Sequence, residues 1–157
     1  MSKAKEFLVD WVEKYFNNRN LMLHSIEKIE KNKNNVDIYM TLNRGKLHLV
    51  LVEPYLTKVD SLLKKLLPFK TNKLSLFILN TKENFEIILA NWDKLAKFDS
   101  LFNIYFMNPF SKLDKKWTIY PMTHNSMTDK KSLKPGLQSL AANVDWISKE
   151  EYEKIIK

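Results

Sequence analysis

Residues 35–52, NVDIYMTLNRGKLHLVLV, predict two antiparallel strands joined by a tight turn. Apolar and polar side chains alternate in the first half of this stretch, as they do in a strand that buries one face. Gly45 supplies the positive φ that a short hairpin loop requires. The preceding residues 21–31 show a similar two-residue period. Together these residues predict a three-stranded antiparallel meander.

Further helices and strands are predicted before and after this meander in the sequence. The predicted helices cover residues 3–18, 57–67, 91–98, 134–144 and 148–157, and the later strands cover 73–79, 84–90, 102–107 and 116–122. Segments 73–79 and 84–90 are apolar at alternate and intervening positions, which is typical of strands covered on both faces. Polar residues predict loops at 108–116 and 122–134. The pattern predicts a single α+β domain over residues 1–157, with an antiparallel or mixed sheet flanked by helices.

Composition narrows the classes of function. The chain has 26 Lys and Arg residues against 18 Asp and Glu residues, a net charge of +8, and no cysteine. The absence of cysteine excludes disulfides, thiolate nucleophiles and cysteine-ligated metal sites. The basic excess favours a polyanionic partner, with nucleic acid as the first candidate, although codon bias in an AT-rich genome would also produce it. No apolar run has the length of a membrane span, so we expect no membrane partner and an intracellular location.

Glu86 is the acidic residue with the most apolar neighbours. In a strand over 84–90, its side chain shares a face with Ile88 and Ala90. A buried carboxylate is costly unless a lysine, a metal ion, hydrogen bonds or a proton compensates it, and catalytic sites supply the same groups. We therefore predict Glu86 as the catalytic acid. The alternative is that Glu86 lies near a strand end and reaches water or a lysine.

Four other residues are weaker candidates. Glu53 ends a predicted strand and Asp93 begins a predicted helix, and either is a possible second acid beside Glu86. Asp37 is expected on the polar face of its strand, although it too could join Glu86 in holding a divalent cation. His124 is predicted in a polar loop, where it could act as a general base or contact a phosphate.

Several familiar signatures are absent. With only two glycines, the chain has neither a phosphate-binding P-loop nor a dinucleotide fingerprint. The restriction-endonuclease pattern of an acid followed by Glu-x-Lys is also missing, because Pro54 and Tyr55 follow Glu53. A metal-dependent nuclease of this sequence would need a lysine from elsewhere in the chain.

Lysines are concentrated in the polar region between residues 112 and 134. Such residues bind the DNA backbone without reading its sequence. The predicted DNA-binding residues are Lys112, Lys115, Lys116, Lys130 and Lys131.

The segments NFEIILANWDKL (84–95) and KWTIYPMTHNSM (116–127), together with the chain length, resemble nucleases of the filamentous lipothrixviruses that infect the archaeon Acidianus. The resemblance implies an α+β fold of unusual topology, remotely similar to nucleotidyltransferases. It also implies nuclease activity on linear double-stranded DNA, in the cytoplasm of a thermophilic archaeal host. The chain lacks the Gly-Ser loop and paired Asp-x-Asp of nucleotidyltransferases, so no catalytic acid is carried over from that motif.

These observations lead to one preferred hypothesis and two alternatives. We expect a DNA nuclease in which Glu86 acts as a general base or helps to bind Mg²⁺, the cation expected for a nuclease. The first alternative is a non-catalytic basic protein that binds or packages a viral genome. The second is a structural or interaction protein whose basic charge reflects codon usage alone.

Overall fold

A computed structural model describes residues 1–157, which form an α+β domain around a six-stranded mixed sheet. The strands are β1 (Ile26–Lys33), β2 (Val36–Leu42), β3 (Leu47–Val52), β4 (Lys73–Leu79), β5 (Phe102–Met107) and β6 (Lys116–Ile119). The helices are α1 (Lys3–Leu23), α2 (Val59–Leu66), α3 (Lys82–Ala90), α4 (Trp92–Ala96), α5 (Pro121–Met127), α6 (Lys130–Ala141) and α7 (Lys149–Ile155).

The strands lie in the sheet in the order in which they occur in the chain. β1, β2 and β3 form the predicted antiparallel meander, and Gly45 at its second turn has a φ of +74°. β3, β4 and β5 run parallel to one another, and β6 returns antiparallel beside β5. The predicted first strand began too early, because residues 21–23 complete α1 and His24 ends that helix in a left-handed conformation.

Each face of the sheet carries its own apolar core. α1 packs on one face, where Leu8, Val12 and Phe16 are buried against strand residues such as Phe77. Residues of α2, α3, α4 and α6 form the larger core on the other face. The two chain ends meet on the α1 side, since the Tyr152 hydroxyl donates to the Ala4 carbonyl oxygen at 2.7 Å.

The prediction of a strand at residues 84–90 is wrong, because these residues belong to α3. The Thr81 hydroxyl accepts a hydrogen bond from the Asn84 amide at 3.0 Å and caps the helix. Phe85 and Ile88 are both buried, one helical turn apart, whereas Glu86 is exposed. A short, mostly apolar run fits a buried strand and a helix equally well, and the Thr81 cap favours the helix.

The prediction of a loop at residues 122–134 is also wrong. Pro121 begins α5, which is consistent with the preference of proline for the first helical turn. The Asp129 side chain accepts a hydrogen bond from the Ser132 amide at 2.8 Å, so α6 begins at Lys130 and contains Pro135. None of the helices combines the length and the apolar character needed to cross a membrane.

Candidate functional site

The three parallel strands end at the same edge of the sheet. Glu53, Asn80 and Asn108 are the first residues after β3, β4 and β5. In open sheets with parallel strands, ligands bind outside this carboxyl edge. α3 begins almost directly after β4, so its first turn lies near the same edge.

The segment 144–147, between α6 and α7, is bound to this edge. The Asn80 side-chain amide donates to the carbonyl oxygens of Val144 and Asp145 at 3.3 and 3.2 Å. The Asn108 side-chain amide donates to the Asp145 carbonyl at 2.9 Å, and the Ile147 amide donates to the Asn80 carbonyl at 3.1 Å. Because both asparagines are buried, these bonds hold segment 144–147 in one position.

A groove of about 330 Å³ lies between α3, α6 and segment 144–147. We call it the α3–α6 groove, and its lining residues are Lys82, Phe85, Glu86, Gln138, Ala142 and Trp146. Lys82 and Glu86 are one helical turn apart on α3, so their side chains share a face. The groove therefore combines a carboxylate, a lysine, an amide and a large aromatic ring.

The burial predicted for Glu86 is wrong. Its side chain is 62% exposed, because it projects from the outer face of a helix instead of from a strand. Its Oε1 lies 3.7 Å from the Nζ of Lys134, which is too far for a strong hydrogen bond. The carboxylate is thus close to positive charge while its oxygens remain free to contact water or a ligand.

A second polar cluster joins α1 to β2 and the end of β3. The Nζ of Lys5 lies 3.0 Å from Oδ1 of Asp37 and 3.3 Å from Oε1 of Glu53. The other Asp37 oxygen accepts a hydrogen bond from the Val52 amide at 2.7 Å. Burial alone would lower the pKa of Lys5, but Asp37 and Glu53 outweigh it and raise that pKa.

This cluster corrects one expectation and shows a lysine beside Glu53. Asp37 does not lie on a solvated polar face, because β2 is an inner strand and its side chain is only 10% exposed. Lys5 lies beside Glu53 in space, although no lysine follows Glu53 closely in the sequence. Two carboxylates and a lysine also occur in phosphate chemistry, but Lys5 already occupies the position between these two acids.

Neither cluster forms a complete protein site for a metal ion. The chain has no group of three or more His, Asp or Glu side chains that could hold one. Glu86 is the only carboxylate that lines the α3–α6 groove. A Mg²⁺ ion at Glu86 would therefore need its other ligands from water and from substrate phosphates, as Mg²⁺ commonly does.

The other predicted site residues lie outside the groove. Glu53 belongs to the Lys5 cluster, and Asp93 is exposed on α4 without lining the groove. His124 lies on α5, where its ring contacts Trp92 edge to face at 5.9 Å and its Nε2 is buried without a partner. The structure therefore does not bring these three residues together with Glu86.

The five predicted DNA-binding lysines lie on different elements of the fold. Lys130 and Lys131 lie in the first turn of α6, the helix that contributes Gln138 to the groove. Lys116 instead lies over the ring of Tyr15 on the α1 side of the sheet, 5.6 Å from its centroid. Lys115 donates to the Ser111 carbonyl oxygen, and Lys112 donates through its backbone amide to Asp145.

The chain matches no protein-family model, no curated protein and no solved structure.

Sequence reasoning missed Lys5, Lys82 and Trp146. Once α3 is recognised as a helix, the four-residue spacing of Lys82 and Glu86 does place them on one face. For Lys5 and Trp146 we find no comparable sequence signal, since their neighbours in space are distant in the chain.

Proposed function

We propose that this protein is a nuclease that hydrolyses phosphodiester bonds of linear double-stranded DNA, with Glu86 as its catalytic carboxylate. One observation supports this proposal above the others. Glu86 is the only acid that lines the α3–α6 groove, and two lysines lie close to it. Lys82 lines the same groove, and the Nζ of Lys134 is 3.7 Å from the Glu86 carboxylate. Such lysines attract the DNA backbone, and a phosphate bound by them would lie beside the carboxylate. The resemblance to lipothrixvirus nucleases supports this proposal and implies a viral enzyme that acts in the host cytoplasm.

In this proposal Glu86 acts as a general base. Its carboxylate accepts a proton from a water molecule, and the water oxygen forms a bond to phosphorus. The bond between phosphorus and one ester oxygen breaks, and that oxygen takes a proton from solvent. The products are one strand end with a hydroxyl group and one with a phosphate. Lys82 and Lys134 offset the negative charge that develops on the phosphate oxygens.

Glu86→Gln tests this role because it keeps the shape of the side chain and removes the proton acceptor. We expect cleavage of linear duplex DNA to fall by about 100-fold or more while DNA binding remains. Glu83→Gln is the matched control, since Glu83 is exposed on the same helix but does not line the groove. Cleavage by Glu86→Gln at the wild-type rate would exclude Glu86 as the base. The same assay in EDTA separates a metal-dependent reaction, which stops, from one that the carboxylate carries out alone.

The Lys5 cluster is the alternative centre for the same chemistry. Glu53→Gln distinguishes the two, because it leaves the α3–α6 groove unchanged. If this variant loses cleavage while Glu86→Gln keeps it, the reaction occurs at Asp37 and Glu53.

A non-catalytic DNA-binding or packaging role is the second candidate function. The net charge of +8 and the lysines of α6 favour it. In this case wild type and Glu86→Gln would both retard linear DNA in a gel and leave it uncut over long incubation.

A further inference from the structure

Trp146 is unusually accessible for a tryptophan. It is 37% exposed, whereas Trp92 and Trp117 are each 5% exposed. Its ring contacts Phe85 edge to face, with the ring centroids 5.8 Å apart. The indole is therefore partly covered by Phe85, and Trp146 also lines the same groove as Glu86.

The backbone that carries Trp146 is fixed on both sides of this residue. Asp145 and Ile147 are both hydrogen-bonded to asparagines at the ends of the parallel strands. The Asp145 carboxylate also accepts hydrogen bonds from the Ser111 hydroxyl at 3.0 Å and the Lys112 amide at 2.8 Å. An aromatic ring on so well anchored a segment loses little conformational freedom when it binds a ligand.

The surroundings of the ring indicate the chemical class of that ligand. A partly exposed indole offers a stacking surface for another flat ring, and every nucleobase has such a face. Lys82 on α3 and Lys134 on α6 supply the positive charge that a nucleotide phosphate requires. The groove thus has a place for a base and a place for a phosphate.

Base stacking within DNA determines which bases are free to stack on Trp146. Inside a duplex both faces of each base are covered by the neighbouring base pairs, and exposing one of them costs unstacking energy. At a duplex end the last base already has one free face. A groove of about 330 Å³ also has room for a base but not for a whole double helix.

We infer that Trp146 stacks on the terminal base of a DNA duplex and thereby directs the protein to DNA ends. This inference deepens the proposed function, on which it rests, because it places the phosphodiester bonds near the terminus beside Glu86. The resulting enzyme would begin cleavage close to ends. The same groove would bind the interior of a duplex less well.

The test uses Glu86→Gln protein, so that binding is measured without cleavage. Duplexes carry the fluorescent base 2-aminopurine at the terminal or at a central position. Stacking on Trp146 should quench the terminal probe and leave the central probe unchanged. Adding Trp146→Ala should abolish the quenching and weaken binding to the open-ended duplex by on the order of ten-fold. Trp146→Phe should retain part of both effects, and Leu113→Ala, at a residue 57% exposed outside the groove, should change neither.

A second duplex, closed by hairpin loops at both ends, separates end recognition from general DNA affinity. The Glu86→Gln protein should bind it more weakly than the open duplex, and Trp146→Ala should remove that difference. Equal quenching with and without Trp146, or equal binding of open and closed duplexes by the Glu86→Gln protein, would overturn the inference. Thermal melting shows whether the Trp146 variants remain folded.

The experiments distinguish a failure of end stacking by Trp146 from a failure of the catalytic role of Glu86. If Glu86→Gln still cuts DNA while the terminal probe responds to Trp146, the proposed role of Glu86 fails and end stacking stands. If Glu86→Gln is inactive but the terminal probe does not respond to Trp146, the proposed role of Glu86 stands and end stacking fails.

Discussion

Lys5 holds two carboxylates, Asp37 and Glu53, that would otherwise repel each other at the end of β3. Asp37 also accepts a hydrogen bond from the buried Val52 amide, so removing it would leave that amide without a partner and Lys5 with Glu53 alone. Buried charge pairs are costly to break from one side because the remaining charge is left uncompensated. The cluster therefore contributes to stability whether or not it has a catalytic role.

Asp37→Ala should destabilise the fold by about 2 kcal/mol, because the buried Val52 amide loses its acceptor and Lys5 keeps only Glu53 as a partner. Urea unfolding measures this change. Asp60→Ala is the control, since Asp60 forms a pair with Lys94 in which its side chain is 67% exposed, and such pairs contribute little. Similar losses of stability in the two variants would contradict the expectation.

His48 forms part of a buried polar chain across the centre of the sheet. Its Nε2 lies 2.7 Å from the Ser75 hydroxyl, which donates to Oδ1 of Asn103 at 2.5 Å. Burial, with smaller effects from the charges of Lys73 and Arg19, lowers the pKa of His48 to about 3. The imidazole is therefore neutral in the folded protein over most of the acidic range.

This shift predicts how stability depends on pH. In the unfolded chain the histidine pKa is about 6.5, so between pH 6.5 and 3 the unfolded state binds a proton that the folded state does not. Stability should fall as the pH drops through this window, at up to about 1.4 kcal/mol per pH unit. His48→Gln removes the titration and should give a flatter profile between about pH 6 and 4.5, above the range where carboxylates titrate. Urea unfolding at several pH values checks this, and parallel profiles would exclude His48 as the cause.

At the scale of secondary-structure elements, α3 determines where the candidate site lies. Thr81 and Asn84 are both buried at the start of this helix. The Asn84 side chain donates to the carbonyls of Pro54 and Leu79, and its oxygen accepts from the Leu56 amide. These bonds fix α3 on the ends of β3 and β4, and so they also position Glu86.

Thr81→Ala should destabilise the protein by about 1–2 kcal/mol, because the Asn84 amide loses the hydroxyl that caps the helix. Thr81→Ser keeps the hydroxyl and should restore most of this loss. Thermal or urea unfolding of the two variants gives the comparison. Equal losses in both would assign the effect to packing of the threonine methyl group.

The meander was predictable because its alternating pattern and its glycine turn are local signals. α3 was not, since a short, mostly apolar run fits two structures and the Thr81 cap is a short signal that is easily overlooked. Glu86 was singled out as a buried strand residue, although it is an exposed helix residue in a groove. Its neighbours Lys134, Gln138 and Trp146 come from distant parts of the chain, and no local pattern indicates such contacts.

Across the whole molecule, the lysines differ in whether an acidic side chain neutralises them. The lysines of β1 are paired with acids, for example Lys31 with Asp10 and Lys33 with Glu30. On α6, Lys134 forms only the loose pair with Glu86, and Lys130 and Lys131 form no ion pair. The lysines of α6 are therefore the better candidates for binding DNA phosphates.

The salt dependence of DNA binding tests this difference. A plot of log affinity against log salt concentration has a negative slope. Replacing Lys130, Lys131 and Lys134 with Gln should make this slope shallower by up to about three, one for each lysine that no longer neutralises a phosphate. The matched control replaces Lys28, Lys31 and Lys33, which carry the same total charge on the edge strand β1. Equal changes in the two triple variants would show that only net charge matters.

The hydrogen bond between Tyr152 and Ala4 has a practical consequence for engineering. Because the first and last helices meet on the α1 side, a short peptide could connect Lys157 to Met1. The exposed turn at Arg44 and Gly45 would then be a suitable place for new termini. Such a circularly permuted chain would keep every strand intact, because the new break falls between β2 and β3.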